Sequence, residues 1–220
     1  MTEIFQKTYW ERDNLDQRRQ PNHPVVAAFA TKKIDEIKKS LNSEAIKTIL
    51  DVGAGNGFFS YYLQTLGNLT AVDYSEKMIA LNPVKNKMVM NATQLNFENN
   101  SFDLVFEAGM LHHVQNLDQV ISEMKRVTKK YLVILEPNRN NPLMFLFGLI
   151  NKEEKKSLKF SLNYLKNKLE QNDLKIIKAF SHGAILPNKV PTWALPVLKI
   201  FDKKIPVLGF NNIIICEKKN

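Results

Sequence analysis

This chain predicts a doubly wound α/β fold built on a seven-stranded sheet, and three observations carry that prediction. Short apolar runs such as KTILDV (47–52) and LTAVD (69–73), each closing at or beside an acid, read as parallel strands buried on both faces. Between them Phe58, Phe59, Tyr62, Leu63 and Leu66 recur at helical spacing, so that segment crosses back over the sheet. The stretch ILDVGAGNGFFS (49–60) passes from strand through alternating glycines into that helix, the order that places ligands at the carboxyl ends of parallel strands.

The remaining elements follow in order. Ser75 caps a short helix bearing Met78 and Ile79, Pro83 ends it, and KMVMN (87–91) gives a third strand. FDLVFEA (102–108) is a fourth. Asn116 caps a helix whose Leu117, Val120, Ile121, Met124 and Val127 form one apolar face, and YLVILE (131–136) is the fifth strand. Then come a helix marked by Leu158, Leu162, Leu165 and Leu169, a strand LKIIKAF (174–180) and a last strand NIIICE (212–217). With 220 residues and no Pro, Gly or Ser run to divide them, one domain is expected over 1–220.

The glycine loop discriminates between ligands. Gly53, Gly55 and Gly57 are three of eight glycines in the chain, and glycine serves where a loop needs positive φ or a close approach. A dinucleotide-binding loop reads G-x-G-x-x-G, whereas Phe58 holds the third position here. Asp51, two residues before the first glycine, would repel a pyrophosphate yet could receive an ammonium through water or backbone. The loop therefore favours an amino-acid-bearing nucleoside.

With AVDYS (71–75), NATQLNFENNSFDLVFEAGMLHHV (91–114) and KKYLVILEPN (129–138), the chain resembles the class I S-adenosylmethionine (SAM) dependent methyltransferases, and among them the type 11 group, over residues 45–138. The resemblance implies a Rossmann-like sheet whose last strand runs antiparallel, and SAM as cofactor with S-adenosylhomocysteine as product. It implies that Asp51, Gly53, Ala54, Gly55, Asn56 and Gly57 hold the methionine part. Asp73 would bind the ribose hydroxyls, a directional contact for a charged carboxylate. Asn91 stands where the family usually has Asp against the adenine amino group, and its side-chain oxygen can still accept that bond. Tyr74, Ala92 and Glu107 are further cofactor-side candidates, and Phe97 stands where the family has a phenylalanine near the adenine. The domain then divides into an N-terminal cap (1–44), a SAM-binding core (45–138) and acceptor-pocket insertions (139–172 and 182–212).

Composition bounds the partners. The net charge of +9 comes mainly from lysine, with five arginines; solvated lysine faces explain it better than a nucleic-acid footprint, which recruits arginine onto one element. Cys216 is the one cysteine, so neither an internal disulfide nor a thiolate metal site can form, and no metal is expected. The N-terminal MTEIFQKTYWERDN lacks an apolar signal-like stretch, and no apolar run approaches the ~20 residues of a spanning helix. A cytosolic protein, or one peripheral at a membrane, is expected.

Methyl transfer from a sulfonium is an in-line displacement, so positioning in a dry cavity supplies most of the catalysis. A base is needed only where the acceptor loses a proton. His112 and His113, after the fourth strand, are the catalytic candidates; packing of the helix start and a backbone hydrogen bond is the alternative. His23, Arg18 and Arg19 are weaker candidates, the arginines for an acidic acceptor or the SAM carboxylate. EAGML after the fourth strand is unlike the Asn/Asp-Pro-Pro-aromatic loop of base amino methylation, and Cys216 lies inside a strand, so nucleic-acid bases are argued against. A small-molecule or lipid-like acceptor, methylated on oxygen or carbon, is expected. A catalytically silent SAM-fold scaffold and an NAD-dependent dehydrogenase are the rival readings. PLMFLFGLI (142–150) and the segment with Trp193, Val197, Ile200 and Phe201 are expected to close a lid over an apolar pocket or to lie on a bilayer surface.

Overall fold

The computed structural model describes Trp10, residues 18–41 and residues 46–219. Apart from Trp10, the N-terminal helix-prone segment of the cap lies outside the described residues. The strands are β1 (Thr48–Val52), β2 (Asn68–Asp73), β3 (Lys87–Val89), β4 (Phe102–Ala108), β5 (Thr128–Pro137), β6 (Leu174–His182) and β7 (Asn211–Lys218). The helices are α1 (Pro24–Lys38), α2 (Ser60–Leu63), α3 (Glu76–Ala80), α4 (Leu117–Val127), α5 (Pro142–Ile150), α6 (Leu162–Gln171) and α7 (Leu195–Phe201).

All seven strands form one sheet in the order β3-β2-β1-β4-β5-β7-β6. Strand β1 pairs in parallel with both β2 and β4, so the winding reverses there and leaves a crevice at the strand ends. Strand β7 runs antiparallel to β5 and to β6, as the resemblance implies. Side chains alternate across the sheet and feed two cores. Ile49, Phe106, Val133 and Ile213 face α1 and α2, while Leu50, Val105, Leu132 and Ile214 face α4 and α6.

Two helices differ from the apolar spacing. The helix after the glycine loop is confined to Ser60–Leu63, because the backbone N–H groups of Tyr62, Thr65 and Leu66 each bond three residues back, in turns that flank the helical stretch. The leucine run from 158 to 169 is broken: residues 152–159 form a 3-10 helix, and Ser161 accepts from the Tyr164 N–H to start α6. The apolar run 142–150 is itself a helix, capped by Asn141 accepting from the N–H groups of Leu143 and Met144.

Candidate active site

The carboxyl ends of β1, β2 and β4 open into a cavity of about 630 Å³. Asp51, Gly53, Ala54, Gly55 and Asn56 line it from β1 and its loop, Asp73 and Tyr74 from β2, and Asn91 and Ala92 from beyond β3. Residues that sequence separates by up to forty positions thus share one wall. The loop is shaped by its glycines. Gly53 has φ +72° and its missing Cβ would lie 2.5 Å from Met110 Cβ, so no other residue brings the loop this close to the turn after β4.

Asp51 is buried and accepts from the Ser60 hydroxyl at 2.6 Å; burial pushes its carboxyl up to about 7, against the pull of that bond. Asp73 accepts from the Gly55 N–H at 2.7 Å and the Ser75 N–H at 2.8 Å. Burial raises its pKa while those two donors oppose the shift. Each Asp73 oxygen holds a second lone pair for a ligand hydroxyl. A buried and a half-buried carboxylate at two neighbouring strand ends, with an open backbone loop between them, fit the amino-acid and ribose parts of SAM.

Three assignments change. Glu107 does not line the cavity: its Oε1 accepts from the N–H groups of Met110 at 2.5 Å and Leu111 at 3.2 Å, closing the turn beneath it. Burial and then the charge of Glu136 raise its pKa well up. Gly57 also lies off the cavity; a Cβ there would meet Asn82 and Pro83 at 2.7 and 2.8 Å, so it serves packing. Asn91 keeps its place in the wall, but its Oδ1 already accepts from the Thr93 N–H and hydroxyl at 3.0 and 2.9 Å. Phe97 packs edge-on against Phe102 and is not part of the lining.

The two histidines are unequal. His112 lies between two carboxylates, Nδ1 at 2.5 Å from Glu136 and Nε2 at 3.1 Å from Glu154. Burial disfavours its charge, yet Glu136 and Glu154 outweigh burial and hold its pKa up at about 10. It is an imidazolium at neutral pH and cannot be a base there. His113, whose ring stacks 4.0 Å from that of His112, is driven the other way, by burial and then by the His112 charge. Its buried Nδ1 has no hydrogen-bond partner among the described residues. His112, His113 and Glu154 bring one ligand atom each within 4.8 Å of one another, but both His112 nitrogens already face carboxylates, the pattern of a held cation.

A strap crosses the cavity. Arg19 donates to the carbonyls of Pro187 and Val190 at 2.8 and 2.7 Å, Asn56 donates to the Arg19 carbonyl at 3.0 Å, and Tyr62 donates to Pro21 at 2.7 Å. The Arg19 guanidinium therefore ties the cap to the second insertion. His23 instead caps α1, its Nδ1 accepting from the Val25 N–H. Sequence reasoning missed Trp10, which stands edge-on to His113 at 5.3 Å, and Glu154. In KEEKK Glu154 reads as part of a solvated charge run, and no local signal joins it to a histidine 42 positions earlier.

The insertions divide. Met144 and Phe147 of α5 and Leu186–Lys189 line the cavity. Trp193, expected in the pocket, is 83% exposed and is not in the lining.

Residues 50–134 match the family model described as a methyltransferase domain. The match covers the glycine loop, the acids of β1 and β2, and strands β2 to β4 of the sheet described above. A SAM-dependent methyltransferase from Aquifex aeolicus superposes with a TM-score of 0.64 at 17% identity, over 92% of this chain and all of that one. Among curated relatives, the phosphatidylethanolamine N-methyltransferase of Cereibacter sphaeroides is 32% identical over 37% of this chain and 45% of its own length. The demethylmenaquinone methyltransferase of Corynebacterium glutamicum is 29% identical over 53% of this chain and 52% of its own. The chain thus spans about half the length of these curated relatives.

Proposed function

We propose that this protein methylates an oxygen or carbon of a small, lipid-like acceptor, with SAM as donor. The carrying observation is that one cavity joins the Asp51–Asp73 loop to His113 and then to the apolar side chains of Met144, Phe147 and Leu186. SAM, when bound, supplies an electrophilic methyl on a sulfonium. The chain's own residues do the rest. Asp73 and Asp51 hold and orient the cofactor from opposite sides of the glycine loop. Trp10 and the Arg19 strap exclude water, which strengthens every polar contact inside. Where the acceptor is a hydroxyl or an acidic carbon, His113 Nδ1 is the neutral ring nitrogen available to accept the proton. It is a weak base because burial and the charged His112 lower its pKa, so it suits an acceptor whose proton is already acidic. The apolar wall of Met144, Phe147 and Leu186 selects acceptors with a hydrocarbon body.

The names of two relatives support the lipid-like part of this reading: one is a phosphatidylethanolamine N-methyltransferase, which methylates nitrogen, and the other a demethylmenaquinone methyltransferase. The test is a screen for S-adenosylhomocysteine release against quinols, phenols, fatty acids, phospholipids and polyprenyl phosphates, with sugars as polar controls. Turnover is expected with an apolar-bodied acceptor and should fall when His113→Ala is made. A protein that binds SAM yet turns over none of these would favour the silent scaffold.

A further inference from the structure

We propose that the protein docks on an anionic lipid bilayer through the outer face of α5 together with α7 and the loop after it. Beyond the proposed reaction, this inference rests on surface residues alone.

The first observation is α5. All nine of its residues are apolar, glycine or proline, so it has no polar face to give to water. Its inner side, Met144 and Phe147, lines the cavity. Its outer side leaves Leu143 63%, Leu146 51%, Leu149 55% and Ile150 70% exposed. A solvated helix carries charge there. The second insertion repeats the pattern: Trp193, Val197, Ile200 and Phe201 are all more than half exposed. Val207 and Leu208 are exposed as well. They adjoin α5, because Asn138 donates to the Val207 carbonyl and Asn141, the α5 cap, to the Leu208 carbonyl, both at 2.6 Å. Isolated exposed apolar side chains are ordinary, but a run of this extent around a cavity marks an interaction surface.

Charge decides the occupant. Exposed Lys199 and Lys203 are interleaved with the apolar positions of α7 and its loop, and the chain as a whole carries +9. A second copy would set these lysines against its own. An anionic headgroup layer pairs with them while the leucines, Trp193 and Phe201 enter the acyl boundary, the arrangement of an interfacial amphipathic surface. Nine residues are too few to span a bilayer, and no helix among the described residues is long and apolar enough to do so. Docked this way, the α5 wall of the cavity lies at the lipid surface, where an acceptor with a hydrocarbon body would enter without crossing water.

The experiment is co-sedimentation of the full chain with vesicles of phosphatidylcholine alone, or of phosphatidylcholine mixed with phosphatidylglycerol, at low and high salt. Binding is expected to the anionic vesicles, with release at high salt and a blue shift of Trp193 emission read in a Trp10→Phe background. Leu146→Glu with Ile200→Glu should weaken binding about tenfold or more, and Lys199→Glu or Lys203→Glu about fivefold each. Unchanged SAM affinity in these surface variants shows that they fold. The proposal is overturned by a folded protein that ignores anionic vesicles at low salt, by binding that these substitutions leave intact, or by a dimer that Leu146→Glu dissociates. Vesicle binding without turnover on any acceptor would sink the proposed reaction and leave the docking surface standing.

Discussion

Glu136 Oε2 lies 2.5 Å from His112 Nδ1, both groups buried, with His112 in the cavity lining and Glu136 behind it. Burial and then the Glu136 charge raise the Glu107 pKa well up, and the Glu136 carboxylate pairs with His112. Burial and then the His112 charge lower the His113 pKa. One carboxylate on β5 thereby holds the charge on His112, which adds to the lowering at His113.

Replacing Glu136 by Gln should therefore lower the His112 pKa from about 10, as read by histidine NMR titration. Leaving the imidazolium without its deepest partner should also cost about 3 kcal/mol of stability. The pH dependence has a definite sign. The folded pKa is raised above the ordinary 6.5, so this pair's contribution is full below pH 6.5 and is lost as pH rises through about 10. Urea unfolding from pH 6 to 10 should show wild-type stability falling more steeply than that of Glu136→Gln. Parallel curves would remove the pair from this role.

Asp73→Ala should weaken SAM binding more than Asn91→Ala, by about 1–2 kcal/mol. Asp73 is a charged acceptor that also fixes Gly55, whereas Asn91 is neutral and its oxygen is occupied by Thr93. Calorimetric titrations giving equal losses would count against the ribose assignment.

Phe147→Ser should cut turnover while leaving SAM affinity within about 1 kcal/mol, because Phe147 lines the cavity from α5 and is not part of the glycine loop or the β2 end. Trp193→Ser should leave turnover on a micelle-free, soluble acceptor analogue unchanged, since Trp193 is 83% exposed. Steady-state kinetics on both variants decide whether the two insertions differ in this way.

A buried ion pair fastens the second insertion. Lys33 donates to the Phe29 carbonyl at 3.0 Å and stands 3.7 Å from Asp202, with no exposure on either side chain. Burial brings the Lys33 pKa down to about 8 despite Asp202. Asp202→Ala should cost about 3–5 kcal/mol by stranding the ammonium, and Lys33→Met with Asp202→Leu should recover most of it. Additive losses in that double-mutant cycle would contradict the pairing.

How much of this was legible in the sequence follows from which contacts are local. The β1 strand, its acid, the glycine loop and the acid ending β2 all lie between Thr48 and Asp73, so spacing and residue type sufficed. The Ser75 and Asn116 caps were legible for the same reason. Glu154 was not, because its link to His112 depends on how the 152–159 turn packs across the site. Glu107 was misplaced because a strand-end acid looks the same whether its carboxyl turns into the cavity or under the chain. Trp193 was misplaced because helical spacing tells which residues share a face and is silent on what that face meets.

The central claim is a cofactor site built from Asp51, Asp73 and the loop between them, and calorimetry of the purified protein with SAM, S-adenosylhomocysteine and NAD tests it most directly. Saturable binding of both sulfur nucleosides, abolished or strongly weakened in Asp73→Ala, with no binding of NAD, is the predicted result. A folded protein that binds NAD, or that binds neither sulfur nucleoside, would contradict it.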